Sequence, residues 1–167
     1  MRAMVSLAAL ACAGAGLSGC ISMSRSSAEA PVPIDVARDG RVEVVNLDYA
    51  PVTAKVGDDF AAIFTAQVKA KVSRCARGSR PLRLDATVTE YFRTNPVFTT
   101  LLVGRNRIRG TAVLTDVQTG QVVGRYRIGK TIIGGRFGIV AMGPAQTQLS
   151  AAFGDEVCRQ AFAAPAG

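Results

Sequence analysis

Leu82-Arg83-Leu84-Asp85-Ala86-Thr87-Val88-Thr89 sets an apolar residue against a polar one at every second position. Side chains of a strand point alternately to its two faces, so this run reads as a half-buried strand with one dry and one wet face. The pattern returns downstream, with Ile108, Ala112 and Leu114 on one face and Arg107, Arg109, Thr111 and Thr115 on the other. Asp116-Val117-Gln118-Thr119-Gly120 then reads as a turn closed by glycine. Val122, Tyr126 and Ile128 alternate with Val123, Arg125 and Arg127 after it, which completes a hairpin.

Outward from these strands the period changes. Upstream, Phe60, Ile63, Phe64, Val68, Val72 and Cys75 share one face of a helix that Asp58-Asp59 opens and Gly78 with Pro81 ends. Before it, Val42-Glu43-Val44-Val45-Asn46-Leu47 is a short apolar strand. Downstream, Leu149, Ala152, Phe153, Val157 and Ala161 form a last helical face, with Pro144 near its start. The order is β-α-β-β-β-α. Short strands with only two helices predict an α+β two-layer domain, a mainly antiparallel sheet of about four strands with both helices on one face.

The first twenty residues carry a different message. Arg2 is the one charge before an apolar run from Ala3 to Leu17, the n-region and h-region of a secretory signal. The run is shorter than the ~20 residues a membrane span needs. It closes on Leu17-Ser18-Gly19-Cys20, which resembles the lipobox of bacterial lipoproteins: an aliphatic residue, two small ones, then the cysteine that is acylated. The resemblance implies cleavage after residue 19 and lipid on Cys20, with several acyl chains at ~0.8 kcal/mol per buried CH₂ making release negligible. In Gram-negative lipoproteins an aspartate after that cysteine favours the inner membrane. Ile21 stands there instead, so the resemblance implies the outer membrane, facing the periplasm.

The domain plan that follows is a signal peptide over 1–19, a lipidated Cys20 and flexible tether over 20–33, one periplasmic domain over 34–163, and a disordered tail over 164–167. The tether stretch from Ile21 to Pro33 is rich in serine, alanine and proline, and its thirteen residues would reach roughly 20 Å. The leader accounts for Cys12 and lipidation for Cys20. That leaves Cys75 and Cys158, an even pair that favours a disulfide in an oxidising compartment, against the alternative of two buried free thiols.

The chain has no histidine, which removes Ser-His and Cys-His nucleophilic pairs and histidine-bearing zinc sites. A Cys₄ metal site is excluded by the cysteine count, and the expectation is no metal, no cofactor and no catalysis. The thinly spread carboxylates, Asp58-Asp59 and Asp155-Glu156 among them, are explained by helix placement. Gly124-Arg125-Tyr126-Arg127-Ile128-Gly129-Lys130-Thr131 fits the P-loop pattern letter for letter. A working P-loop is a small flexible loop followed directly by a helix. Bulky strand formers fill this one and Ile132-Ile133-Gly134-Gly135 follows, so the match is a decoy.

Loss of Arg2 from the chain's 20 basic residues leaves 19 against 12 acidic ones, a net charge of about +7. Arg105, Arg107 and Arg109 share one strand face, which Arg125, Arg127 and Asp85 would join. This reads either as a solvated face with cross-strand pairing or as a basic platform for anionic headgroups, lipopolysaccharide or an acidic partner. Nucleic acid is excluded by compartment and by the lack of aromatic residues among the arginines. Two segments are too apolar for exposed loops, 96–103 with Phe98, Leu101 and Leu102, and 132–143 with Ile132, Ile133, Phe137 and Ile139. Either they fold onto the core or they are contacts for a partner or a lipid.

The lipobox, the Ser/Pro linker and the Asp116-to-Gly120 turn together resemble small envelope lipoproteins of unknown function. In these an Asp-x-x-Thr-Gly turn follows an arginine-bearing strand and a helix closes the chain. More distantly, the chain looks like auxiliary lipoproteins of envelope transport systems, which pair a sheet with two helices. The resemblance implies a non-enzymatic, membrane-anchored accessory or interaction subunit of an envelope assembly or transport complex. A periplasmic binder of lipid or amphiphile is the alternative. An envelope protein partner is expected, and the oligomeric state is left open.

Overall fold

A computed structural model describes residues 21–49, 56–94, 104–134 and 144–163. In chain order the elements are β1 (Ile21–Ser24), β2 (Ser27–Ala30), α1 (Ile34–Asp39), β3 (Gly40–Tyr49), α2 (Phe60–Val72), β4 (Arg80–Phe92), β5 (Gly104–Asp116), β6 (Val122–Gly134) and α3 (Ala145–Val157). A π-helical turn, Cys158–Phe162, continues α3.

The expected core order β-α-β-β-β-α is present as β3-α2-β4-β5-β6-α3, and the domain is α+β as expected. The counts differ, however. The sheet has six strands in the order β1-β6-β5-β4-β3, with β2 also on β6. The extra strands come from the stretch expected as a flexible tether. Ile21 to Ser24 pair antiparallel with Ile133 to Lys130, and Ser27 to Ala30 follow along Arg127 to Arg125. Without them β6 would present a bare row of N–H and C=O groups, and pairing that row satisfies both chains. A third helix, the short α1, bridges this arm to β3. The β3–β4 pair is parallel and α2 is its crossover, while every other pairing is antiparallel.

Alternation along β4 and β5 works as read. Leu82, Leu84, Ala86, Val88, Ile108, Ala112 and Leu114 are buried under the helices. Two register shifts alter the ends. The shift between Val88 and Glu90 turns Tyr91 toward the helices, where its ring meets Phe60 at 5.1 Å, and leaves Glu90 on the open face. The shift between Leu114 and Thr115 pairs Thr115 with Val122, so Val122, expected on the apolar face, is exposed and Gly124 takes the buried place. A Cβ on Gly124 would sit 2.4 Å from Val32, so only glycine lets the arm pack there.

The helices form a single layer on the sheet. Phe60, Phe64, Val68 and Val72 of α2 face Leu149, Phe153 and Val157 of α3 across the core, with Phe64 and Phe153 edge to face at 5.1 Å. Cys75 and Cys158 are joined by a disulfide with Cα atoms 5.8 Å apart, as expected. Cys75 lies in the turn after α2, and Cys158 opens the π-helical turn. Among the described residues, no helix is long and apolar enough to cross a membrane.

Candidate functional site

The open face of the sheet carries the arginines that the alternation placed there. Cross-strand registers set Arg107 opposite Thr131, Arg109 opposite Gly129, Thr111 opposite Arg127 and Val113 opposite Arg125. Arg125 and Arg127 therefore do join the β5 arginines, one register further along. Much of the charge is paired. Glu90, delivered to this face by the β4 register shift, bridges Arg107 at 2.9 Å and Arg109 at 3.1 Å. Asp85 accepts from Arg83 at 2.9 Å and from Asn46 at 2.8 Å, and Arg127 pairs with Glu29 of the arm. Arg105 and Arg125 have no carboxylate partner among the described residues. Thr94 instead binds the backbone of Arg105 at both its N–H and its C=O. The pairing is largely the solvated-face arrangement, with arginine in excess over carboxylate.

Within this face a groove of about 480 Å³ is walled by Arg25, Arg109, Arg127, Thr89 and Thr111. The arm makes one wall. Arg25 donates its N–H to the Gly129 carbonyl at 2.8 Å, and a Cβ on Gly129 would lie 2.6 Å from the Arg25 carbonyl oxygen.

Of the apolar contact candidates, Phe98, Leu101, Leu102, Phe137 and Ile139 lie outside the described residues. Ile132 is 9% exposed and belongs to the core, which corrects its reading as a contact residue. It falls on the helix side of β6, where Ile128 lies four residues before it. Ile133 points to the opposite face, half-buried, opposite Ile21 on one side and Arg105 on the other. At this end of the sheet Ile21 is 61%, Met23 47% and Phe92 45% exposed.

The sequence reading missed a buried carboxylate. Glu156, explained there by its place in a helix, is 1% exposed. Arg159 clasps it with Nε at 3.1 Å and with Nη2, Gln160 donates at 3.1 Å, and Lys130 of β6 stands at 3.4 Å. Burial pushes the carboxyl upward, but the bonds from Arg159 and Gln160 and from the hydroxyls of Ser24 and Ser26 outweigh it and hold the pKa at about 2. Arg159 Nη2 also donates to Ser24 of β1 at 3.0 Å. One carboxylate thus ties α3, β6 and the arm together.

The spacing held the signal. Glu156 follows Leu149 by seven residues and Phe153 by three, which puts it on the buried stripe of α3. A carboxylate on such a stripe needs partners.

At the opposite end of the arm lies a larger cleft of about 650 Å³, between α1 and the π-helical turn. Its apolar wall includes Val32, Ile34, Ala37 and Phe162, and Arg38 and Arg159 stand in its lining. The disulfide fixes its floor through Cys75. Tyr126 anchors its edge, accepting the Val32 N–H at 2.7 Å while fully buried.

No family model matches the chain, and no curated protein matches its sequence. Its fold is similar to that of solved structures. The PelC dodecamer from Paraburkholderia phytofirmans is 16% identical, with a TM-score of 0.53 over 84% of this chain and 99% of that one. A leucine-to-methionine variant of that dodecamer is 18% identical over 84% and 98%, with a TM-score of 0.47. A candidate lipoprotein from Caulobacter crescentus is 16% identical over 64% and 83%, with a TM-score of 0.41. At these identities the first likeness establishes a shared fold.

Proposed function

We propose that this chain is a non-enzymatic lipoprotein, held by acyl chains on Cys20, that serves as an accessory or interaction subunit of an envelope assembly or transport complex. It works as a homo-oligomer whose contact is the open sheet face. The observation that carries this reading is the sheet face opposite the helices, which no helix covers among the described residues. Helices cover one side of a six-stranded sheet, and the other side offers Arg105, near exposed Phe92 at one end, and Arg125 toward the other, both without carboxylate partners among the described residues. The shared fold with a protein that assembles as a dodecamer supports self-assembly.

Charge decides the form of assembly. A face rich in arginine repels a copy of itself, so the contact is heterologous, with the arginine face of one copy on a different surface of the next. Such contacts close into rings when the rotation allows. The arm supports a fixed pose at the membrane. Because Ile21 is already paired with Ile133, the domain hangs from Cys20 by one residue rather than by a long tether, with the outer membrane the expected site.

Light scattering of the mature, lipidated chain in mild detergent tests the proposal. A defined oligomer is expected at micromolar concentration, falling to monomer when Arg125→Glu and Arg127→Glu are combined. A monomeric wild-type chain under those conditions overturns it.

A further inference from the structure

We propose that the cleft between α1 and the π-helical turn binds a single-chain anionic amphiphile, its alkyl chain along Val32, Ile34, Ala37 and Phe162 and its head group on Arg38 and Arg159. The cleft's volume of about 650 Å³ falls in the ~300–1,000 Å³ range of small-molecule sites. Its lining joins an apolar wall to two guanidinium groups, the division of an amphiphile with a carboxylate or phosphate head.

Charge complementarity selects the anion. Arg38 is exposed and has no ion pair among the described residues, so its charge is available at the rim. Arg159 spends Nε and Nη2 on Glu156 and Ser24, which leaves Nη1 for a ligand. The cluster behind it sets the Glu156 carboxylate against both Arg159 and Lys130, so this wall keeps a net positive charge. A neutral or cationic head would gain nothing there.

The walls are also built to keep their spacing. The Cys75–Cys158 disulfide ties the end of α2 to the π-helical turn, and the Val32–Tyr126 hydrogen bond holds the opposite lip. The arm runs from Ile21, opposite Ile133, to Pro31 at the cleft, about ten residues at ~3.3 Å each, or roughly 30 Å. With lipid on Cys20, the Pro31 end of the cleft would lie far along the arm from the anchor, while Arg159 reaches back to Ser24 of β1 at 3.0 Å. The inference stands apart from the oligomer, because it uses none of the open-face arginines.

The test is photolabelling of the full mature chain in phosphatidylcholine nanodiscs with dodecanoate carrying a terminal diazirine, followed by peptide mapping. Label is expected on the peptides holding Ile34, Ala37 and Phe162. Unlabelled dodecanoate should compete, while dodecyl maltoside, with the same chain and an uncharged head, should not. Arg38→Glu should lower labelling about tenfold, as for the loss of one charge-assisted contact. Ala37→Trp, which fills the cleft and keeps its charge, should abolish it, with unchanged thermal midpoints showing that both variants fold. Label confined to other surfaces, equal competition by the maltoside, or labelling unchanged in Arg38→Glu would each overturn the proposal.

Discussion

Ile21 stands directly opposite Ile133 on the outer edge of the sheet, one residue after the cysteine expected to carry the lipid. The relationship turns a segment that reads as a tether into part of the domain. With lipid on Cys20, as proposed, the end where β1 begins and β6 finishes would lie nearest the membrane. From there the arm passes the Glu156 cluster, crosses Gly129 through Arg25, and ends at the cleft.

Hydrogen exchange measures that arrangement. Amides of β1 and β2 that bond to β6 should be protected well beyond those of an unstructured tether. Glu156→Gln should release them selectively. Removing this carboxylate leaves Lys130 partly buried without its counter-charge, at a cost of about 2 kcal/mol, less than the ~3–5 for fully buried pairs because Arg159 is more than half exposed. Exchange of residues 21–30 at the rate of a free peptide in the wild-type chain would contradict the arm.

The disulfide closes a sequence separation of 83 residues. In the chain-entropy model a loop of that length contributes about 4.5 kcal/mol. Urea unfolding with and without a thiol reductant should differ by up to that amount. The Cys75→Ala, Cys158→Ala double variant should match the reduced protein. Equal midpoints with and without reductant would show that the bond does not form in the mature chain.

Gly154 is where α3 comes closest to α2. A Cβ there would lie 2.8 Å from the Lys71 Cβ and 3.1 Å from the Val68 Cα. Gly154→Val should push the helices apart and cost about 1–3 kcal/mol, the usual range for overpacking. A thermal midpoint at or above that of the wild-type chain would place the helices farther apart than the structure has them.

Acid should destabilise the domain through two carboxylates. The Thr119 N–H, then the Arg80 guanidinium, hold Asp116 at about 2 against an ordinary 3.8, while Glu156 stays at about 2 against 4.5 despite its burial. Both folded values lie below the unfolded ones, so at low pH the unfolded chain binds more protons. The stability these groups contribute is complete above the unfolded values and is lost as the pH falls from them toward about 2. Urea midpoints should be flat from neutrality to just above 4.5 and fall steadily below it. An unchanged midpoint at pH of about 3 would contradict the assignment.

The central strands were legible because burial on one face leaves a period-two record, clear in Leu82 to Val88 of β4. The Asp116 turn was legible too. Its carboxylate accepts the N–H groups of Gln118 and Thr119, and Gly120 takes a positive φ of 70°, so both marked residues have a mechanical role. The arm left no such record. Every residue of β1 and β2 is exposed, so no apolar alternation marks the strands, and the side-chain ties of Ser24 to Arg159 and Glu29 to Arg127 form only across the folded chain. Glu156 was legible in principle, by its place on the apolar stripe of α3. The cleft was not, because Pro31 to Arg38, Cys75 and Arg159 to Ala163 meet only once the chain has folded.

A photoreactive side chain placed at position 125 in living cells probes assembly through the arginine face. A covalent adduct of two copies of the chain is expected, mapping to a different surface on the second copy and lost with Arg127→Glu. The absence of any two-copy adduct, or an adduct that survives that charge reversal undiminished, would contradict it.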